Sequence, residues 1–301
     1  MPELGNPLIS VVLLCHNQDK FAAEAVRGVL TQTYSPIDVV IVDDCSSDRT
    51  ADVVEETLSA HRERGDVRFI RNSPNATWWG ACEVALTAAR GDFIVLTCGD
   101  DVMLPEMVAE MADVWLKENV SLVTTNVTYI DEHSNLIGRT ARDCNVDADD
   151  SFETLARDGA NACCFGAAMG FEREVYATFG LPPSYLGAAD IMLPFYAYLL
   201  KGARFIGKPL LQYRVHGGNS SLSLTAEGAA GVDKLLMHER AFNSHLMHAV
   251  LMQEELDRLS FTMPARHAQL AGRIGPLLNI QTVEMAKKLV KTRIELHALS
   301  R

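Results

Sequence analysis

The sequence predicts an α/β protein with a mostly parallel, doubly wound sheet and a C-terminal helical extension. Three observations carry this expectation. Over the first 125 residues, short apolar runs rich in β-branched residues alternate with stretches of helical spacing. Those runs are continuous, as in strands covered on both faces, and do not alternate with polar residues. From Gly228 to Arg301 the strand pattern stops and only helical spacing remains.

The elements follow in order. Ile9-Ser10-Val11-Val12-Leu13-Leu14 makes the first strand, and Phe21, Ala25, Val26, Val29 and Leu30 share one face of a helix over 20–30. Val39-Val40-Ile41-Val42 is the second strand and runs into Asp43-Asp44; a polar helix over 49–62 carries Val53, Val54 and Leu58 on one side. Val67 to Ile70, Phe93 to Leu96 and Leu122 to Thr125 supply three more strands. Trp78-Trp79 falls in the loop before Gly80, where one indole is expected near the surface. Pro105 suits a helix start, and Met107, Val108, Met111, Val114 and Trp115 form its stripe. From about Thr128 to Tyr213 the pattern is less regular, with a polar stretch (143–150), a small-residue segment (160–170) and a helix over 191–201 stopped by Gly202. Pro264 separates two tail helices, 232–259 and 265–299. The expected division is therefore 1–125, 126–225 and 226–301.

Of 301 residues, 48% are hydrophobic and 22% charged, the balance of a packed globular chain. Lys and Arg number 27 against 39 Asp and Glu, a net charge of −12. That surface argues against nucleic acid as a partner, and it obliges any anionic ligand to be met by a cation or a local basic patch. Seven cysteines without a repeated CxxC, two of them adjacent at Cys163-Cys164, fit reduced thiols better than a disulfide framework. The opening residues lack the basic and apolar stretches of a signal peptide, and the run from Ile191 to Leu200 is too short to span a bilayer. A soluble, cytoplasmic protein is the expectation.

In a doubly wound sheet, ligands bind beyond the carboxyl ends of the strands. Three polar clusters follow strands closely: Cys15-His16-Asn17, Asp43-Asp44 and Gly99-Asp100-Asp101. No GxGxxG follows the first strand, Gly207-Lys208 runs into Pro209, and His238-Glu239 lacks the second histidine of HExxH. A phosphate-bearing ligand needs another device. Asp100 and Asp101 offer hard oxygens to Mg²⁺ or Mn²⁺, which bridge readily to phosphates. Equally, Asp101 can cap the helix beginning near Pro105 while Asp100 serves the turn. Ser47 or Asp48 is placed to cap the helix after the second strand; Asp43 and Asp44 lie too early for that and suit a ribose hydroxyl or a pyrimidine N–H. Arg71, after the third strand, can reach a phosphate or lie in solvent.

The ordered series Ile9 to Asn17, Gln32-Thr33-Tyr34, Asp43 to Thr50, Ala89-Arg90-Gly91-Asp92-Phe93-Ile94 and Gly99-Asp100-Asp101 resembles the inverting family-2 glycosyltransferases of GT-A (Rossmann-like) fold. Phe171 to Tyr176, Gly187 to Leu193 and Tyr213-Arg214-Val215-His216 resemble the acceptor half of that family, so the likeness runs from about Leu8 to Ser221. The resemblance implies a nucleotide-sugar-binding half, an acceptor-binding half and a helical tail. It places Cys15, His16, Asp43 and Asp44 at the donor nucleoside and Asp100 at the metal–diphosphate, with UDP the default base; Asn17 and Arg71 join them as further donor candidates. It places Asp100 at a Mn²⁺ or Mg²⁺ ion, with Asp101 and His216 as further candidate ligands, and Asp190 as the general base, although the place of Asp190 before a helix would by itself equally suit an N-cap. From their residue types Trp79 and Tyr185 are candidate acceptor contacts, an indole face being able to stack on a sugar or to pack against the sheet; the acceptor is a sugar, a lipid-linked group, or a small molecule or peptide. Alternatives are a non-catalytic sugar-nucleotide-binding relative or a nucleotidyltransferase. Three positions depart from the pattern: Cys98 stands for the first Asp of DxD, Cys82-Glu83 for an Arg-Asn pair, and Ala189 for an acid before the base.

The tail carries Leu235, Leu236, Phe242, Leu246, Val250 and Leu251, more apolar surface than a lone helix keeps exposed. It is expected to form a lid or to pair with a second chain as a homodimer. The Lys287, Lys288, Lys291, Arg293 and Arg301 cluster makes peripheral membrane contact the second reading.

Overall fold

The computed structural model describes residues 6–61, 66–140, 148–150, 166–182, 189–219 and 231–299. Its centre is β1 (Ile9–Cys15), buried along its whole length, between two parallel neighbours, β2 (Ile37–Asp43) and β4 (Phe93–Cys98). A parallel strand needs a crossover, and α1 (Ala22–Leu30) supplies it, burying Ala22, Ala25, Val26 and Val29 against the sheet. α2 (Thr50–Ala60) leads to β3 (Val67–Arg71), which adds in parallel outside β2, and α3 (Thr77–Ala88) leads back to β4.

Beyond β4 the sheet changes character. The order is β3-β2-β1-β4-β9-β6-β10-β5, and β9 (Met169–Glu172) is antiparallel to both β4 and β6 (Leu122–Ile130). Strand β10 (Ala203–Arg214) is parallel to β6 and antiparallel to the two-residue β5 (Val102–Met103). β7 (Leu136–Thr140) and β8 (Ala148–Asp150) pair with β6 and β10. α4 (Met107–Glu118) and α5 (Arg173–Phe179) complete this region. The mostly parallel doubly wound sheet is thus as expected, with antiparallel pairing contributed by β5 and by the region whose pattern was irregular.

Part of the motif series is structural. Buried Asp38, near the amino end of β2, accepts from Ser10 Oγ (2.8 Å), Arg90 N (2.9 Å) and Arg68 Nη2 (2.6 Å). A Cβ on Gly91 would lie 2.7 Å from the Ile9 carbonyl carbon, and Arg173 grips the Gly91 carbonyl (Nε, 2.9 Å). Ala89-Arg90-Gly91-Asp92 therefore locks the end of the sheet remote from the strand ends where ligands bind. Glu172 is a second buried node, accepting from Trp115 Nε1 (2.9 Å), Ser121 Oγ (2.8 Å) and Lys201 Nζ (2.7 Å).

Chain contacts divide the protein into two compact units, one made of 1–150, 164–181 and 201–215, the other of 151–163, 182–200 and 216–301. In the second unit α6 (Ala189–Leu200) is apolar on all sides, as a buried helix must be, and its last carbonyls are capped by Arg266 (Nε to Leu199 O, 2.9 Å; Nη2 to Tyr198 O, 3.0 Å). Two long helices, α7 (Gly231–Thr262) and α8 (Pro264–Leu299), form a hairpin. Met252, Leu256 and Leu259 of α7 and Leu270, Ile274 and Leu278 of α8 are buried. No described helix is long and apolar enough to cross a membrane.

Candidate functional site

The carboxyl ends of β1, β2 and β4 lie side by side: Cys15 is in register with Asp43, and Leu14 with Cys98. The first two predicted polar clusters are knitted together by hydrogen bonds. Asn17 occupies the left-handed region (φ 53°), which asparagine tolerates, and this turns its Oδ1 onto Ser47 N (2.8 Å). Asn17 N donates to Ser46 Oγ (2.9 Å), and Ser46 Oγ donates to Asp43 Oδ1 (2.5 Å). His16 Nδ1 lies 2.9 Å from the Asp44 carbonyl.

Asp44 is 3% exposed and holds a third loop that sequence reasoning missed. Its Oδ1 accepts from Asn72 Nδ2 (2.9 Å) and from Ala76 N (2.8 Å), the residue before α3, while its carbonyl accepts from Asn75 Nδ2 (2.9 Å). Asp44 thus meets the start of α3 across the sheet, a contact with no local sequence signal. The only trace was the polar turn Asn72-Ser73-Pro74-Asn75 itself. Asp48, by contrast, does accept from Thr50 N (2.9 Å), the first residue of α2.

After β4 the chain turns hard against β1. Gly99 N donates to Leu14 O (2.8 Å), and a Cβ there would sit 2.7 Å from Cys15 Sγ, so this turn needs glycine. Ligand atoms of Cys98, Asp100 and Asp101 come within 4.8 Å of one another. The helix-cap reading of Asp101 is overturned: α4 starts at Met107, and buried Asp101 accepts from Arg214 N (2.9 Å). Burial, then the charge of Asp100, pushes the Asp101 carboxyl well above its ordinary range. Burial followed by Asp100 and Asp101 does the same to the Cys98 thiol, against a hydrogen bond with Trp78 that pulls it down. Cys15, also buried, has its thiol raised by burial and then by Asp43, Asp100 and Asp48.

Arg214 is the residue that organises this corner, and no spacing rule singled it out. At 1% exposure, its Nε donates to Asp100 O (2.8 Å), its Nη1 to Asp131 O (3.0 Å) and Ser134 Oγ (2.9 Å), and its Nη2 to Glu24 Oε2 (2.7 Å). The guanidinium carbon also stands 4.8 Å from the Phe21 ring centroid.

The donor set fits a hard divalent cation. Two carboxylates converge beside one thiol, and the thiol is a poor partner for Mg²⁺. Asp101 has one oxygen engaged by Arg214 N. One or two carboxylates with the rest of the shell from water and phosphate is the usual arrangement for such an ion.

The remaining predicted residues are distributed as follows. Arg71 ends β3 in register with Asp43, its guanidinium 3.4 Å from both Asp52 and Glu55 of α2. Trp78 and Trp79 are not in a loop; they occupy the first turn of α3, edge to face at 5.0 Å. The N-cap residue of that helix is Ala76, whose methyl group cannot cap, and the local start signal is Asn75, whose Oδ1 accepts from Thr77 N (3.0 Å). His216 lies just after β10, its N–H donating to Asn219 Oδ1 (2.6 Å) and its Nδ1 accepting from Gly218 N (3.2 Å). Asp190 falls in the first turn of α6, its side chain outside the described part of the structure, and Tyr185 lies outside the described residues.

The sequence profile of "Glycosyl transferase family 2" matches residues 10–180, more than half of the chain. The chain belongs to that family. An uncharacterized glycosyltransferase of Nostoc is 27% identical over 219 residues, covering 71% of this chain and 67% of the Nostoc protein. Escherichia coli chondroitin synthase is 31% identical over 132 residues, 44% of this chain and 19% of the synthase. The chain spans under half of another relative, an uncharacterized glycosyltransferase of Methanocaldococcus jannaschii (27% identical, 45% of this chain and 47% of that protein). Among solved structures, S. aureus TarS 1-349 in complex with UDP-GlcNAc superposes with a TM-score of 0.60 (16% identity, 94% of this chain, 81% of that one). The mannosyltransferase PcManGT of Pyrobaculum calidifontis, in complex with GDP-Man and Mn²⁺, gives 0.58 (17% identity, 97% and 88%). The family-2 assignment and the fold therefore agree with the resemblance carried by the motifs.

Proposed function

We propose that this family-2 protein is an inverting glycosyltransferase that moves a sugar from a nucleoside-diphosphate donor, a UDP-sugar by default, to an acceptor hydroxyl. The observation that carries the reading is the strand-end cluster: Asp43 and Asp44 in buried, hydrogen-bonded positions, with Asp100 two strands away at the end of β4. Nucleoside and diphosphate need that pairing of a polar pocket with a carboxylate-bound cation. Sugar-nucleotide complexes of TarS and PcManGT, proteins of the same fold, support the donor class.

In this reading residues 1–125 serve the donor, 126–225 the acceptor, and 226–301 the helical tail. Asp44, His16 and Asn17 line the nucleoside side. Asp100, aided by Asp101 and His216, would hold Mn²⁺ or Mg²⁺; the ion would supply positive charge against the leaving diphosphate. Asp190 takes the proton of the acceptor hydroxyl as its oxygen bonds to the anomeric carbon and the bond from that carbon to the diphosphate oxygen breaks. One in-line displacement inverts the anomeric centre.

The test is Asp190→Asn, assayed with Mn²⁺ and a panel of sugar nucleotides. Transfer should fall by about 10²–10⁴-fold, the usual worth of a positioned base, with donor affinity retained. Near-normal turnover by that variant would remove Asp190 from the mechanism. Wild-type protein that binds donor and never releases nucleoside diphosphate would leave a sugar-nucleotide-binding protein, and pyrophosphate release would point to nucleotidyl transfer.

A further inference from the structure

Helix α8 has two apolar faces, and among the described residues only one of them is covered. The inner face packs in the hairpin through Leu270, Ile274, Leu278 and Leu289. Opposite it stand Ile280, Val283, Lys287, Val290 and Ile294, at intervals of three, four, three and four. The four apolar members are 57%, 51%, 57% and 64% exposed, well above what a helix face of this composition ordinarily leaves to solvent. A strict three-four repeat is the a/d seam of a coiled coil, a narrower stripe than the broad apolar face of a membrane-surface helix. At 1.5 Å per residue the seam is about 21 Å long.

We infer that this seam is the self-association surface of the protein, pairing α8 with α8 of a second copy in antiparallel orientation. Charge decides the partner and the direction. Lys287 sits at an a position: in a parallel pair it would oppose its own copy, whereas an antiparallel pair interleaves it with an apolar d residue. The same antiparallel register sets Glu284 on one flank opposite Lys291 of the other copy, and by two-fold symmetry the pair occurs twice. In a parallel pair those positions would face Asn279 and Ala286, which carry no charge. A second copy of this helix thus matches the seam in period and in charge. The residues that hold the hairpin together lie elsewhere: Arg293 is bound to Glu239 (2.7 Å), and Lys288 lies over the Phe242 ring at 5.9 Å.

The full chain is examined by sedimentation equilibrium across the micromolar range, with far-UV circular dichroism confirming unchanged helicity. Wild type should show a reversible monomer–dimer equilibrium. Glu284→Lys and Lys291→Glu, both at exposed positions, should each weaken it roughly tenfold by turning two attractive pairs into two repulsive ones. The double variant should recover wild-type association, and an equimolar mixture of the two single variants should form heterodimers in preference to either homodimer. A strictly monomeric wild type, or single reversals without effect in either direction, would overturn the inference. So would binding to anionic vesicles that involves the seam while self-association is absent.

Discussion

Arg214→Met removes a buried guanidinium while leaving an apolar stem to cover Phe21. The carbonyl of Asp100 loses its donor, that of Asp131 keeps only Ser134 N, and Glu24 loses its 2.7 Å partner. A stranded buried acceptor costs about 1 kcal/mol or more. The Glu24 side chain is 40% exposed, so water compensates much of its loss, and its share is held to about 1 kcal/mol or less. Together about 2 kcal/mol is expected, or roughly 4–6 °C in the melting temperature of a chain of this size. Arg214→Lys keeps a charge near Glu24 but cannot serve three directions at once, and should cost about half as much. The second readout separates stability from site geometry. Because Arg214 holds the peptide that presents Asp100, the lysine variant assayed well below its melting point should need several-fold more Mn²⁺ for half-maximal donor turnover. Thermal denaturation by circular dichroism and a Mn²⁺ titration are the measurements. A methionine variant melting within a degree of the parent would refute the hub assignment, and an unchanged Mn²⁺ requirement in the lysine variant would refute the coupling to Asp100.

Cys98→Asp restores a carboxylate beside Asp100 and Asp101; half-saturation by Mn²⁺ should tighten by roughly tenfold, because a hard oxygen replaces a thiol. The same change should lower the metal-free melting temperature, since three carboxylates would then converge within one small site. Asp38→Asn tests the remote lock. Burial raises the Asp38 carboxyl, but hydrogen bonds from Arg90 and Ser10 and the charge of Arg68 outweigh it and hold it below its usual range. Its contribution is therefore full above the unfolded value, about pH 4, and is lost as pH falls through the lower folded one. The variant should be less stable by about 2 kcal/mol at pH 7, a figure reduced from that of a wholly buried pair because both arginines are partly exposed. Urea titrations at pH 7, 5 and 3 should show a constant gap between the first two and a smaller one at the third.

The strands that carry the site were legible because each is buried on both faces, and continuous apolar runs report that directly. Strand ends were equally plain, since Asp43-Asp44 and Gly99-Asp100-Asp101 interrupt those runs abruptly. Helix α3 was partly hidden: its tryptophans look like loop residues, and although Asn75 accepts from its first N–H, the preceding Ala76 N is met by Asp44 from another loop. Antiparallel β9 was hidden for another reason. Met169-Gly170-Phe171-Glu172 is too short to show a period, and Gly170 is required by the Phe93 ring, with a ring atom 2.8 Å from where its Cβ would stand.

Not all motif residues lie at the candidate site, and they fall into two groups by the end of the sheet they occupy. Arg90 and Gly91 belong to the series that resembles the family, yet they bind Asp38 and Ser10 near the amino ends of β1 and β2. Asp44 and Asp100 belong to the same series and stand past the carboxyl ends of β2 and β4. Sequence order interleaves the two groups, so a reading along the chain weighs them alike. Arg214 bridges the distinction: it binds through its side chain to the backbone of Asp100 and through its backbone to the side chain of Asp101. Such reciprocal contact ties the Asp100 backbone and the Asp101 carboxylate to the end of β10. A substitution there should therefore be felt in cation affinity even where the fold survives, whereas a substitution at Arg90 should be felt in stability alone.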